Sequence, residues 1–162
     1  MWQRVAILNY LCTSGHFQIA EHWYPKNPTL RAHVDEYANW QHLNLRSFGS
    51  MYFRTKIVEP RLMGTPLNVE KLKRWESDLE ACLTLMEKYF LRDDWKYISG
   101  TPEITYADLL AVCELEQPIT AGHTLREKHP RLSKYLNGIR ERVGAQLYDE
   151  AHAVNYKVKA SL

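Results

Sequence analysis

The chain has 162 residues, of which 45% are hydrophobic and 25% are charged, with seven glycines and seven prolines. This composition is typical of an ordered globular domain and excludes a disordered or collagen-like chain, and the length leaves little room for two complete domains. The net charge is +2, and the basic residues are scattered among acidic ones, so nucleic-acid binding has no electrostatic support.

Cysteine and histidine usage bounds the compartment and the metal chemistry. The three cysteines, Cys12, Cys82 and Cys113, form no CxxC pair and each lies in an apolar pattern, so we expect reduced, buried thiols. The seven histidines show neither HExxH nor Cys/His ligand spacing, so no metal site is expected. Neither a signal sequence nor an apolar stretch of about 18 residues is present, which predicts a cytoplasmic protein without membrane contact.

The dominant pattern along the chain is helical periodicity. A short apolar opening at residues 5–12 is followed by an irregular connector at residues 13–27. Asn27 and Pro28 then match the cap and the first position of a helix, where the missing proline N–H costs nothing. Apolar and aromatic residues at steps of three and four predict one long helix that ends near Glu59.

The second half of the chain continues the helical pattern. Asn68 is a plausible cap for a third helix, and a fourth helix begins at Thr105 and is predicted to stop before Pro118. This fourth helix is apolar on nearly all sides, which predicts a central position in a bundle. Residues 130–143 and 145–158 supply two more helices. We therefore expect an all-α bundle of about five or six helices.

The sharpest local motif is Thr105-x-x-Asp108. Thr105 as N-cap and Asp108 at the third helical position match a capping box, in which each side chain accepts from the other residue's N–H. A catalytic or metal-binding Asp108 would need a partner carboxylate or histidine in the pattern, and none is evident. The motif therefore predicts a structural cap.

Standard catalytic signatures are absent: the sequence contains no GxGxxG, no GxxxxGK[ST] and no GxSxG. In the long helix, Arg46 lies one residue from the apolar stripe. It either projects into a cleft and holds an anion, or pairs with an acidic neighbour on the helix surface. Gly49, one turn later, permits either a bend or the close approach of a neighbouring backbone or a ligand.

Several separated motifs resemble those of one family in the same order. They are Trp23-Tyr24-Pro25-Lys26, the run from Arg31 to Tyr37, Trp40-Gln41-His42, Thr105-x-x-Asp108, Glu116-Gln117-Pro118 and the run from Tyr148 to His152. Together they resemble the C-terminal helical domain of theta-class glutathione S-transferases, particularly the insect type, over about residues 5–158.

The resemblance implies a domain layout. Residues 1–13 look like the last helix of that family's thioredoxin-like N-terminal domain, residues 14–27 like the linker, and residues 28–162 like the glutathione-transferase C-terminal helical domain. It follows that most of the N-terminal domain is missing from this chain.

The resemblance also implies a chemistry. The family conjugates glutathione, as co-substrate and without another cofactor, to hydrophobic electrophiles in detoxification. Its glutathione site and catalytic serine belong to the N-terminal domain, and the Glu-Ser pair that holds the γ-glutamyl end stands as Gln3-Arg4 here. The chain alone is therefore expected to be inactive.

On the electrophile side, the resemblance implies a wall built from the long helix. Arg46 matches a family arginine that faces the active site, and Gly49, Tyr52 and Phe53 lie on the following turns. Arg54 stands where some members carry an aromatic residue, which leaves the acceptor preference open. The partners implied are a hydrophobic electrophile and a second copy in a homodimer. Two functions stay open: a truncated theta-class transferase, or a non-catalytic helical module that binds proteins or ligands.

Overall fold

The computed structural model describes residues 3–160, apart from the side chain of Asp94; the ends of the predicted domains at residues 1–2 and 161–162 lie outside the described residues. No strand occurs within residues 3–160, which confirms the predicted all-α class. The α-helices are α1 (Arg4–Thr13), α2 (Pro28–Leu43), α3 (Leu45–Phe53), α4 (Glu59–Leu62), α5 (Val69–Leu85), α6 (Tyr106–Thr120), α7 (Leu125–Lys128), α8 (Pro130–Val143), α9 (Ala145–Ala151) and α10 (Ala153–Ala160).

The long helix predicted from Pro28 to Glu59 is interrupted. It begins as expected, with the Asn27 side chain accepting from the N–H groups of Thr29 and Leu30. It then breaks at Asn44, whose φ of −114° and ψ of −99° are not helical, and resumes as α3. The periodicity of side chains continues across this break, so the sequence pattern alone does not reveal it.

The end of this helix is also later than predicted. A π-helical turn at Arg54–Val58 follows α3 and leads into α4, which contains Pro60 and runs to Leu62. Val58 and Glu59 both have helical φ and ψ, so the chain passes from the π-helical turn into α4 without leaving the helical conformation. Pro60 therefore lies inside a continuous helical run and does not end it.

Helix α6 occupies the centre of the bundle, as its all-round apolar pattern predicted. It contacts α2, α3, α7, α8 and α10, and most of its side chains are buried. Its predicted end is wrong, however, because the helix runs through Pro118 to Thr120. Pro118 has no N–H for the carbonyl of Glu114, one turn earlier.

Gly49 of α3 packs against the turn of α6 in which Pro118 lacks a backbone N–H. A Cβ atom built on Gly49 would stand 3.6 Å from the carbonyl oxygen of Glu114 and 3.8 Å from Cδ of Pro118. The close approach of a neighbouring backbone, one of the alternatives left open by the sequence, is therefore what the structure shows. The absence of a side chain at Gly49 lets α3 and α6 cross closely.

The N-terminus of α6 carries the predicted capping box between Thr105 and Asp108. The Asp108 carboxylate is fully buried and accepts from the N–H of Thr105 at 2.8 Å, the N–H of Ile98 at 2.8 Å and the hydroxyl of Tyr135 at 2.9 Å. Burial raises the pKa of Asp108, and these hydrogen bonds oppose that shift. The Asp108 carboxylate thus links the start of α6 to α8 and to the loop that precedes α6.

The cysteines are all free, and one prediction about them is wrong. Cys82 is buried and Cys12 is half-buried, but Cys113 is exposed on the surface of α6. Its side chain lies on the same stripe of α6 as the half-buried Leu109 and Gln117, a face that the apolar pattern does not distinguish from the rest.

We expect Asp108→Asn to lower the free energy of unfolding by about 2 to 4 kcal/mol, measured by chemical denaturation. The amide nitrogen would face N–H donors, so at least one buried donor loses its acceptor while the helix cap weakens. Glu103→Gln is the matched control, because this exposed carboxylate has only a 3.4 Å ion pair with Arg142, and it should change stability by less than about 0.5 kcal/mol. An equal effect of both changes would contradict this role of Asp108.

Candidate functional site

Arg46 is placed at a shared ion pair. It lies in the first turn of α3, with two fifths of its side chain exposed, and its Nη1 is 3.8 Å from Oε1 of Glu114. Glu114 belongs to α6 and its side chain is 2% exposed. Arg46 is therefore paired, as one of the sequence alternatives had it, but with a buried carboxylate of the central helix and not with a surface neighbour.

A second arginine reaches the same carboxylate. Nη2 of Arg4, in α1, donates to Oε1 of Glu114 at 2.6 Å, and the Arg4 side chain is 38% exposed. This charge-assisted hydrogen bond ties α1 to the centre of the bundle. Oε2 of Glu114 is buried and has no hydrogen-bond partner.

The charge at this point is not balanced. Two guanidinium groups share one carboxylate, so a net positive charge stays at an edge that is partly open to solvent. Such an edge can bind an anion, or stabilise negative charge that develops on a bound group. We call Arg4, Arg46 and Glu114 the arginine pair site.

The other predicted wall residues lie deeper. Gly49 is buried against α6, and Tyr52 is 2% exposed, with its hydroxyl accepting from Nζ of Lys56 at 3.0 Å. Phe53 is half-buried and packs against the core. Of the four predicted wall residues, Arg46 is thus the one that places a charged group at the surface.

The two residues that replace the family's Glu-Ser pair behave differently from one another. Gln3 is exposed, with Nε2 3.2 Å from Nε2 of His42, whereas Arg4 is bound to Glu114. The sequence patterns did not identify Glu114 as a site residue. It could have been found as a carboxylate inside a largely apolar helix. Such a buried charge requires a partner of opposite charge, so its position predicts an ion pair.

The motifs in the linker and in α2 make structural contacts. The hydroxyl of Tyr24 donates to the Asp35 carboxylate at 3.0 Å, and the ring of Tyr24 packs 5.4 Å from that of Tyr106. Nε of Arg31 donates to the carbonyl of Pro25 at 2.7 Å. These contacts fasten the connector to α2 and α6.

Arg46 lines neither of two clefts on the described surface, which lie along α6 and α8. An apolar groove of about 450 Å³ lies along the exposed face of α6 and includes Trp23, Leu109, Cys113 and Leu147. A larger cleft of about 770 Å³ lies along α8 and carries several basic side chains.

Residues 3–160 contain neither a candidate metal-ligand cluster nor a candidate membrane-spanning helix. In that range, no cluster of three or more His, Cys, Asp or Glu side chains could hold a metal ion. None of the helices there combines the length and the apolar character needed to traverse a bilayer.

A histidine packs against the buried Tyr52. The His123 ring stands edge-on to the Tyr52 ring at 5.3 Å, and its side chain is completely buried. Burial is the main cause that lowers the pKa of His123, while Glu80, with Oε1 3.3 Å from Nε2 of His123, opposes the shift. The neutral imidazole is therefore the form that the folded chain favours.

The comparisons with known proteins point to one class. No family model matches the chain. It is 38% identical over 157 residues to glutathione S-transferase theta-3 of Mus musculus. The aligned region covers 97% of this chain and 64% of that protein. It also superimposes on the apo structure of human glutathione S-transferase T1-1 with a TM-score of 0.91 at 34% identity, covering 99% of this chain and 65% of the human one.

A second human structure agrees. Human glutathione transferase theta-2, solved in complex with glutathione and an unknown ligand, matches with a TM-score of 0.90 at 31% identity and covers 99% of this chain and 64% of that one. The chain is thus homologous to theta-class glutathione S-transferases over nearly its whole length, and it spans less than two thirds of theirs. The helical bundle is the one predicted from the resemblance.

We expect a double-mutant cycle on Arg4→Ala and Glu114→Gln to give a coupling energy of about 1 to 2 kcal/mol, because the carboxylate is buried and the bond is short. Chemical denaturation measures the four free energies of unfolding. The exposed pair of Lys26 and Glu21, 3.8 Å apart, is the control and should couple by less than about 0.5 kcal/mol. Equal coupling in the two pairs would show that Arg4 does not hold α1 to α6.

We expect His123 to make the fold less stable in acid. The unfolded chain takes up a proton as the pH falls through about 6.5, before the folded chain does, so the free energy of unfolding falls in that window and levels off below the folded pKa. The contribution of one proton is at most about 1.4 kcal/mol per pH unit. His123→Leu should reduce this decline between about pH 7 and pH 5. Parallel stability curves for His123→Leu and the parent chain would contradict the assignment.

Proposed function

We propose that this chain is the helical part of a theta-class glutathione transferase, an enzyme that conjugates glutathione to hydrophobic electrophiles in detoxification. The observation that supports this most is the similarity to theta-class proteins across 97% of the chain, at 38% identity with the mouse theta-3 protein. In this proposal residues 28–162 form the C-terminal helical domain, residues 14–27 the linker, and residues 1–13 the last helix of a thioredoxin-like domain that these 162 residues otherwise lack.

In the proposed enzyme, the chain supplies the wall on the electrophile side. Arg46 offers a guanidinium at a partly exposed edge, and the net positive charge of the arginine pair site suits an electrophile whose leaving group departs as an anion. Glu114 orients both guanidinium groups from inside the bundle. Gly49, Tyr52 and Phe53 shape the helix behind Arg46 and fix its position.

The glutathione side is not provided by the chain in this proposal. The thiol must be deprotonated so that its thiolate attacks the electrophile, and the family's serine for that step belongs to the thioredoxin-like domain. Arg4, at the position of a family contact to the γ-glutamyl group, has its guanidinium engaged by Glu114. The isolated chain is therefore expected to be inactive.

Finer parts of the assignment belong to the same proposal. The motifs in the sequence favour the insect type of the theta class, and the family suggests a homodimer in the cytoplasm. The insect type, the homodimer and the cytoplasmic location all follow from the resemblance, and each can be measured separately. Sedimentation, for example, measures the oligomeric state.

A non-catalytic helical module that binds proteins or hydrophobic ligands is the second candidate. The observation that favours it is the Arg4–Glu114 bond, since a side chain that serves the fold replaces one that serves glutathione binding in the family. The two candidates differ in what happens when the glutathione-side domain is supplied.

The test uses the chain alone and a chimera. The chain alone should conjugate glutathione to a halogenated or epoxide electrophile no faster than the uncatalysed reaction. A chimera that adds the part of the mouse theta-3 protein unmatched by this chain should turn over these substrates. Arg46→Ala in the chimera should lower kcat/KM by about tenfold or more, because an anion-stabilising group is lost.

Arg74→Ala is the matched control, since this exposed arginine of α5 lies against the Trp75 ring and not at the arginine pair site. It should change kcat/KM by less than about twofold. An inactive but folded chimera favours the non-catalytic module, and turnover by the chain alone would overturn the assignment of the glutathione side to the missing part.

A further inference from the structure

The turn between α4 and α5 carries the longest exposed stretch of the described chain. Residues 61–70 are all exposed, and elsewhere within residues 3–160 no run of exposed residues is longer than four. Four large apolar side chains lie in this stretch: Leu62 is 80% exposed, Met63 56%, Leu67 45% and Val69 53%. We call these four residues the α4–α5 apolar turn. Single exposed apolar residues are ordinary, but four within eight positions mark an interaction surface.

The backbone of this turn has a fixed conformation. The N–H of Thr65 donates to the carbonyl of Glu59 at 3.0 Å, and the Asn68 side chain accepts from the N–H of Lys71 at 2.8 Å. Between these contacts, Gly64 has a φ of 64°, which glycine adopts without strain. The turn is therefore held at both ends, and a surface that is already ordered loses less conformational entropy when it binds.

Positive charge is concentrated in the same segment. Residues 54–74 contain six Lys and Arg and two Glu, a net charge of +4, whereas the whole chain has +2, so the remainder has −2. The next acidic residues of α5, Glu76, Asp78 and Glu80, lie about 10 Å or more beyond Val69 along the helix, at 1.5 Å per residue. The charge of α5 is thus positive beside the turn and negative farther away.

The cations near the turn exceed the carboxylates that they contact. Oε1 of Glu59 accepts from Nζ of Lys71 at 2.7 Å and from Nε of Arg54 at 3.4 Å, so two cations share one carboxylate. Lys73 and Arg74 are exposed and form no ion pair with a carboxylate of the described side chains. They lie about 6 to 8 Å along the helix from the start of α5, which is within a screening length of the turn.

The charge decides between the possible partners of this surface. If two copies met through the same turn, as in a symmetric dimer, two segments of +4 would face each other and repel. An anionic lipid surface instead attracts the cations and offers an apolar layer to the exposed side chains. Such a peripheral contact does not require a membrane-spanning helix. The sequence prediction of no membrane contact considered only signal and spanning segments.

We propose that the α4–α5 apolar turn docks the chain on an anionic lipid surface. Leu62, Met63, Leu67 and Val69 enter the boundary between headgroups and acyl chains, and the cations of α5 face the negative headgroups. Peripheral helices bury their apolar side about 5 to 10 Å deep in this boundary, which matches the distance of about 6 to 8 Å from the turn to the unpaired cations. The proposal does not depend on glutathione conjugation.

The test is cosedimentation of the full chain with lipid vesicles. We expect the chain to bind phosphatidylcholine vesicles that contain about 30% phosphatidylserine at least fivefold more tightly than pure phosphatidylcholine vesicles. Binding should weaken several-fold when sodium chloride rises from about 50 to about 300 mM, since salt screens the cations. Equal binding to both kinds of vesicle, or binding to neither, would overturn the proposal.

A first pair of variants tests the apolar side chains at constant charge. Leu62→Ser/Met63→Ser should weaken binding to the anionic vesicles by about tenfold or more, because two side chains no longer enter the apolar layer. Leu43→Ser/Val154→Ser is the matched control, since these residues are 76% and 71% exposed elsewhere on the chain. It should weaken binding by less than about twofold.

A second pair tests the cations. Lys73→Glu/Arg74→Glu should weaken binding by about tenfold or more, because two attractions become repulsions. Lys26→Glu/Lys159→Glu makes the same change of net charge on exposed lysines elsewhere and should weaken binding by less than about threefold. Equal losses in either variant and its control would overturn the proposal.

Two measurements without vesicles complete the test. Circular dichroism should show that all four double variants stay folded, because each changes only exposed side chains. Sedimentation of the chain with and without Leu62→Ser/Met63→Ser should give the same oligomeric state. If this variant instead converts a dimer into a monomer, the turn contacts a second copy of the chain, and the lipid proposal is wrong.

Discussion

Helix α6 buries three carboxylates in the centre of the bundle, and the arrangement of the other elements depends on satisfying them. A buried charge without a partner costs several kcal/mol, so each carboxylate must be met by donors from another segment. The Asp108 carboxylate accepts hydrogen bonds from the N–H of Ile98, in the loop before α6, and from the hydroxyl of Tyr135 in α8. The Glu114 carboxylate forms ion pairs with Arg4 of α1 and Arg46 of α3.

The third carboxylate completes this arrangement. Oε1 of Glu116 accepts from Arg126 of α7 at 2.8 Å and from the hydroxyl of Tyr148 of α9 at 2.8 Å. Five helices are therefore placed around α6 by polar contacts as well as by apolar packing. Glu114 and Glu116 lie about 200° apart around α6, so these contacts fall on opposite sides of the helix.

Much of the fold could be predicted from the sequence, for reasons that are local. The cap at Asn27, the cap at Asn68 and the box of Thr105 with Asp108 depend on residues within three positions of each other. The break at Asn44 could not be predicted in this way, because the apolar stripe passes through it without a gap.

The candidate site depended on contacts between distant residues, so the sequence revealed it only in part. Arg46 was identified, but its partner Glu114 is 68 positions away and Arg4 is 110 positions from Glu114. The helix-breaking rule for Pro118 failed as well, since α6 continues to Thr120. Gly49 of α3 packs against the turn that the proline disturbs, and this tertiary contact is invisible in the local pattern.

The motifs that carry the family resemblance have mostly structural roles. Tyr24 binds Asp35, Asp108 caps α6, and Tyr148 binds Glu116. Each of these motifs therefore contains a residue whose polar contact stabilises the bundle. This explains why the resemblance predicted the fold correctly. Arg46, in contrast, lies outside the quoted motifs, so conservation of the fold in this chain does not by itself imply conservation of the chemistry.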